Sequence, residues 1–119
     1  MAKEEKIINI AQGFAGNKEF NMVAIIVKAG NILSIGINDM RKTHPSFWNG
    51  QYDRGIHAEY DALRQVKHQD IISARMYVMY FRKDGTLGNS KPCLRCQEMI
   101  SKVSIKSVYY VKNGLWKKL

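Results

Sequence analysis

Two short stretches hold most of the residues able to do chemistry. "KPCLRC", residues 91–96, contains the only two cysteines of the chain, Cys93 and Cys96, directly after Pro92. "IHAEYDAL", residues 56–63, contains His57 and Glu59. Thiols at i and i+3 in the first turn of a helix lie on one side of it, and a helix N-terminus lowers thiol pKa. Both cysteines are therefore primed as thiolates. That suits zinc, and it suits a redox dithiol equally well. A disulfide fits poorly with the reducing interior of a cell, where the composition places this chain.

His57 and Glu59 narrow the choice. In mid-helix, residues two apart point about 200° from one another and cannot share a site. At the opening of a helix, both can reach a point beyond its end. Gly55 suggests a boundary there, so His57 is expected to open the helix. Two helix starts then converge, one offering an imidazole and one offering two thiolates. Three protein ligands leave one tetrahedral position of a zinc ion open, as catalytic sites do. The other histidines, His44 and His68, are not spaced as a fourth ligand. A water in the open position would be acidified by the metal, and Glu59 is placed to move its protons.

The surrounding pattern supplies the elements. Residues 4–13 read as a helix, with Ile7, Ile8 and Ala11 at helical spacing. "MVAIIVKAG" and "ILSIGIND" read as two strands of a hairpin, turning at Gly30-Asn31. Residues 40–56 read as a long loop with exposed aromatics. "HAEYDALRQVK" is predicted helical, with Ala58, Ala62 and Val66 on one face. "ARMYVMYF" is a third strand and "RKDGTLGNSK" a loop. "PCLRCQEMISKV" is a helix with Pro92 near its first position. "IKSVYYV" is a fourth strand, and Asn113-Gly114 is a two-residue hairpin signal that adds an antiparallel fifth. The order α-β-β-α-β-α-β-β predicts an α/β fold with a single mixed five-stranded sheet and helices packed on it.

The bulk numbers agree with one domain over residues 1–119. The chain is 45% hydrophobic and 24% charged, and that length can bury a core without staples. No apolar run approaches the ~20 residues that span a bilayer. The start "MAKEEKIINI" lacks the features of a secretory signal, so a cytoplasmic location is expected. The net charge of +9 favours phosphate-bearing partners, although the lysines are spread rather than clustered.

The combination H-x-E and P-C-x-x-C, here His57, Glu59, Pro92, Cys93 and Cys96, resembles the zinc-dependent deaminase superfamily, which includes cytidine, deoxycytidylate, tRNA-adenosine and polynucleotide cytidine deaminases. The resemblance covers roughly residues 22–112. It implies a cytidine deaminase-like fold, with one Zn2+ per chain on His57, Cys93 and Cys96 and a catalytic water as fourth ligand. It also implies that Glu59 is the general acid/base of a hydrolytic deamination. Asn38, at the end of "GIN", resembles the asparagine that many members place against the sugar or base; its other reading is a turn residue after a strand. Ala58, inside H-A-E, and Trp48, in the long loop, complete the candidate substrate contacts. Phe47, Trp48 and Tyr52 read either as a wall stacking on the base or as caps on the core or on a subunit contact. The family also implies a homodimer or homotetramer.

Two departures bear on substrate. The loop "RKDGTLGNS" separates the third strand from P-C, where nucleotide and tRNA deaminases run almost straight through. The Asn113-Gly114 hairpin suits the antiparallel ending of the cytidine branch. The expected substrate is a small nucleoside or nucleotide: cytidine, deoxycytidine or a monophosphate. The alternatives are a cytosine or adenosine deaminase of single-stranded DNA or RNA, and a catalytically silent zinc-binding module.

Overall fold

The computed structural model describes residues 2–14, 21–38 and 57–119. In chain order the elements are α1 (Ala2–Phe14), β1 (Asn21–Lys28), β2 (Asn31–Ile37), α2 (Ala58–Arg64), α3 (His68–Ile71), β3 (Arg75–Phe81), β4 (Leu87–Gly88), α4 (Leu94–Ser101), β5 (Ser107–Lys112) and β6 (Leu115–Lys118). The strands form one mixed sheet in the order β2-β1-β3-β5-β6, with β4 also paired to β3. β3 and β5 pair in parallel. The connection between them carries α4, as a parallel crossover requires.

β1 and β3 lie in the middle and are covered on both faces, which is why their sequences are near-continuous apolar runs. On one face Ala24, Ile26, Met76 and Val78 pack against Ala58 and Ala62 of α2, Ile71 of α3 and Ile100 of α4. On the other, Val23, Ile25, Tyr77 and Met79 pack against Ile7 and Ala11 of α1. The result is a sheet between two helical layers, and the predicted mixed α/β fold is observed.

Four local expectations are adjusted. The segment 82–90, predicted as a plain loop, folds back and adds the short sixth strand β4, pairing Tyr80 with Gly88 and Phe81 with Leu87. It occupies the edge of β3 beyond Tyr77↔Tyr109, the last residues paired between β3 and β5. The first hairpin turns one residue earlier than predicted, at Ala29-Gly30, with φ of 52° and 80°. Asn31 instead pairs with Lys28. The helix after His57 stops at Arg64 rather than Lys67. There the Gln65 side chain donates to the carbonyls of Asp61 and Ile35, and Ala62 O accepts both Ser34 Oγ and the Gln65 N–H, so the helix closes on i→i+3 bonds. Pro92 precedes α4 instead of entering it, because Cys93 is extended (φ −68°, ψ 167°) and serves as the N-cap. The second hairpin lies where the sequence put it, at Asn113-Gly114, both at positive φ. No described helix is long and apolar enough to cross a membrane.

Candidate metal centre and active site

Two helix N-termini meet at the cluster. His57 is the N-cap residue of α2, extended at φ −79° and ψ 151°, and its side chain makes no cap hydrogen bond. Its carbonyl instead opens the helix by accepting the Asp61 N–H at 3.0 Å. Cys93 is the N-cap residue of α4, and its sulfur accepts the Cys96 backbone N–H at 3.5 Å. Both thiols face one ring nitrogen: His57 Nδ1 lies 3.3 Å from Cys96 Sγ and 3.6 Å from Cys93 Sγ. The ligand atoms of His57, Cys93 and Cys96 all lie within 4.8 Å of one another. Cys96 is fully buried and Cys93 partly so. The spacing argument for His57 at a helix opening thus matches the backbone.

The electrostatics fit a cation. The Cys96 side chain, then the His57 ring and the Cys96 backbone N–H, hydrogen-bond the Cys93 sulfur and outweigh its burial, holding that thiol down at about 4. A thiolate at neutral pH, a second sulfur and an imidazole are a donor set suited to zinc. Glu59, in the first turn of α2, is 2% exposed. Burial pushes its carboxyl above the usual carboxylate range, opposed by backbone hydrogen bonding, His57 and the Cys96 side chain. A carboxyl whose pKa is moved toward neutrality is suited to taking up and returning a proton.

Three residues that sequence reasoning passed over hold these groups in place. Gly36 is the first. A Cβ there would lie 2.2 Å from Ala58 O and 2.3 Å from Ala62 N, so only glycine lets α2 rest its backbone on β2. The signal was available as a glycine inside a strand pattern. Asp61 is the second: its Oδ2 accepts the Ile37 N–H at 3.0 Å and its Oδ1 accepts Arg64 Nε at 2.8 Å. Ser90 is the third, buried between β3 and β5. Its hydroxyl donates to Val78 O at 2.7 Å and accepts from Val111 N at 2.8 Å, while its own N–H donates to Val111 O at 2.9 Å. Three residues before Cys93, it fixes the start of the segment that delivers both thiols. No short-range pattern marks Ser90 or Asp61.

Asn38 follows directly on β2. Ser34 meets Ala62 O, while Gly36 meets Ala58 O, so β2 runs antiparallel to α2. Two residues further, about 6.7 Å along the strand, Asn38 comes level with the opening of α2. It is buried, and its Oδ1 accepts the Met22 N–H at 2.9 Å. That bond gives it a structural task in closing the β1–β2 pair. Ala58 lies wholly in the core against β1 and β2. Trp48, Phe47, Tyr52 and His44 lie outside the described residues. His68 is exposed at the start of α3 and belongs to no metal cluster found among the described residues.

Comparison with known proteins agrees with this geometry. Residues 1–112 match the zinc-binding region of cytidine and deoxycytidylate deaminases. The fold is similar to that of the dCMP deaminase of cyanophage S-TIM5 in its apo form, with TM-score 0.58 and 24% identity over 96% of this chain and 86% of that one. The same phage enzyme in complex with dCMP and dUMP gives TM-score 0.57 and 22% identity over 88% and 77%. RibD of Acinetobacter baumannii gives TM-score 0.53 and 25% identity over 90% of this chain but 27% of RibD. No curated protein sequence matches. The paired helix openings, the His-Cys-Cys cluster with a buried glutamate beside it, and the match over residues 1–112 lead to one assignment: the chain belongs to the cytidine and deoxycytidylate deaminase zinc-binding family.

Proposed function

We propose that residues 1–119 form one zinc-dependent deaminase domain. Its substrate is the cytosine of free cytidine, deoxycytidine or a monophosphate, and its products are the uracil derivative and ammonia. The observation that carries this reading is the convergence of His57, Cys93 and Cys96 within 4.8 Å beside the buried Glu59. His57 Nδ1 and the two sulfurs would hold one zinc ion. When bound, the ion supplies Lewis acidity that lowers the pKa of a water.

The chain's own groups do the rest. Glu59 accepts a proton from the attacking water and passes it to the ring nitrogen. It then moves the second proton to the departing amine, so the C4–N bond breaks as the C4=O bond forms. Burial, by holding its carboxyl pKa up, lets Glu59 carry that proton near neutral pH. Asn38, whose Oδ1 accepts the Met22 N–H, would contact the sugar or base of the substrate. The phage neighbour bound to dCMP and dUMP supports a nucleotide as substrate. Assembly as a homodimer or homotetramer in the cytoplasm belongs to the same reading.

A second reading, deamination of single-stranded DNA or RNA, is favoured by the net charge of +9. A mass-spectrometric panel of cytidine, deoxycytidine, their monophosphates, a cytosine-containing oligonucleotide and adenosine separates the two. Turnover confined to the oligonucleotide would replace the first reading with the second. No ammonia from any substrate would leave a silent zinc-binding module.

A further inference from the structure

A second constellation of donors lies on the face of the sheet turned away from the metal cluster. The strand register aligns Arg75 with Ser107 and Tyr77 with Tyr109, and Tyr109 in turn with Lys118; one step on, Val111 pairs with Trp116. Side-chain alternation puts Arg75, Tyr77, Ser107, Tyr109, Trp116 and Lys118 all on the α1 side. The metal-bearing helices α2 and α4 pack on the opposite side, against Met76 and Val78.

The aromatic part is ordered. Tyr77 and Tyr109 stack with ring centroids 5.3 Å apart, and Trp116 meets Tyr77 edge-on at 5.6 Å. Tyr109 and Trp116 remain partly exposed, while Lys118 and Lys106 are exposed. Ser107 is 7% exposed, and its hydroxyl has no hydrogen-bond partner at bonding distance among the described residues. It nevertheless lies near enough to Tyr109 to be the main influence lowering that phenol, followed, against a smaller effect of burial, by the cations Arg75, Lys118 and Lys106. The neighbouring Tyr77 phenol is raised by burial, with Arg75 opposing through its charge and a side-chain hydrogen bond and the Glu4 carboxylate adding to the rise. Cations and hydroxyl donors therefore outnumber acceptors around one phenol.

We propose that this patch is a second site, which holds the phosphate of a nucleotide or of a single-stranded polynucleotide between Arg75 and Lys118. The Tyr109 hydroxyl donates to the phosphate and Ser107 donates to the Tyr109 oxygen behind it. Trp116 offers a wall for the base. Guanidinium groups match phosphate oxygens in geometry, and a basic surface set with aromatics is the arrangement that binds nucleotides through backbone and stacking. Because the sheet separates the two faces, a ligand here leaves the metal cluster accessible to substrate.

The test is an amide-shift titration by NMR of the zinc-loaded protein with inorganic phosphate, adenosine monophosphate and an oligothymidylate, each as a separate arm. Shifts should concentrate at Arg75, Ser107, Tyr109 and Lys118. The Arg75→Gln/Lys118→Gln double variant should weaken the tightest arm by about tenfold or more and leave turnover of the best small substrate unchanged. The exposed Lys118→Glu variant, which keeps Arg75, should weaken the same arm without disturbing the fold. The arm that binds most tightly identifies the source of the phosphate, whether free anion, nucleotide or strand. Shifts confined to the start of α4, no shift in any arm, or wild-type affinity in both variants would overturn the site. The binding readout does not depend on whether the chain deaminates.

Discussion

Asp61 Oδ2 accepts the backbone N–H of Ile37 at 3.0 Å and so fastens the first turn of α2 to β2, the strand at one edge of the sheet. Gln65 Nε2 bonds Ile35 O at 2.9 Å one turn later, so two side chains of the helix region satisfy backbone groups that an edge strand leaves open. The helix that presents His57 and Glu59 is therefore held in register along β2, with Asn38 at its opening. Asp61→Ala removes the acceptor and strands the part-buried Ile37 N–H, a loss of about 1–3 kcal/mol. Asp61→Asn keeps an acceptor oxygen and should recover most of it. Thermal unfolding of the two variants checks this, and kcat should fall further in the alanine variant than in the asparagine one. Identical melting of both variants and wild type would remove Asp61 from this role.

Gly36 sets how close the same helix can come. The 2.2 Å and 2.3 Å approaches of a built Cβ are to the backbone atoms Ala58 O and Ala62 N, so no rotamer change can relieve them. Gly36→Ala must push α2 outward, a strain of about 1–3 kcal/mol or more. It should also move His57 away from the two sulfurs. The expected result is a lower melting temperature together with faster loss of zinc on dialysis against a chelator. Wild-type melting and zinc retention in Gly36→Ala would contradict the close packing.

Much of this was legible because local chemistry and global fold agree. The apolar runs of β1 and β3, the turn at Asn113-Gly114 and the opening of α2 at His57 each follow from a few adjacent residues. The steps that join distant segments were not legible. Ser90 bridges Val78 and Val111 across positions 12 and 21 residues away, and a lone serine before "KPC" carries no pattern for that. Asp61 reads as one more charged helix residue until β2 lies beside it. β4 is two residues long, too short for period-two alternation to register. The pairing of Tyr109 with Lys118 depends on register across a hairpin, and only then do the basic and aromatic residues of one face come together.

The metal and the proton carrier separate by substitution. Purified protein is expected to hold one zinc per chain. Cys93→Ser or Cys96→Ser should lose it and melt at lower temperature, because the ion ties the openings of α2 and α4 together. Chelation of the wild type should lower its melting temperature in the same direction. Glu59→Gln should keep the zinc and lose turnover, since its role is to move protons. Elemental analysis beside an ammonia-release assay reads both. Loss of zinc in Glu59→Gln, or turnover surviving in it, would reverse the assignment of roles.

The last prediction separates a pocket for small substrates from a groove for polymers. A polymer that neutralises several phosphates releases counterions as it binds, so its affinity falls by orders of magnitude between ~50 and 200 mM salt. A nucleoside has no phosphate to screen and a monophosphate has one, so KM for a small substrate should rise only several-fold over that range. The net charge of +9 does not alter this expectation. A diffuse basic surface raises encounter with polyanions without placing them at the α2 and α4 openings. Turnover of the best small substrate should be followed across a salt series, then again with an unreactive oligonucleotide present. A shallow slope is expected, with oligonucleotide associating without competing for the active site, since Arg75 and Lys118 lie on the sheet face turned away from the metal cluster. A steep slope, or full competitive inhibition at sub-micromolar oligonucleotide, would place the polymer in the active site and make single-stranded nucleic acid the substrate.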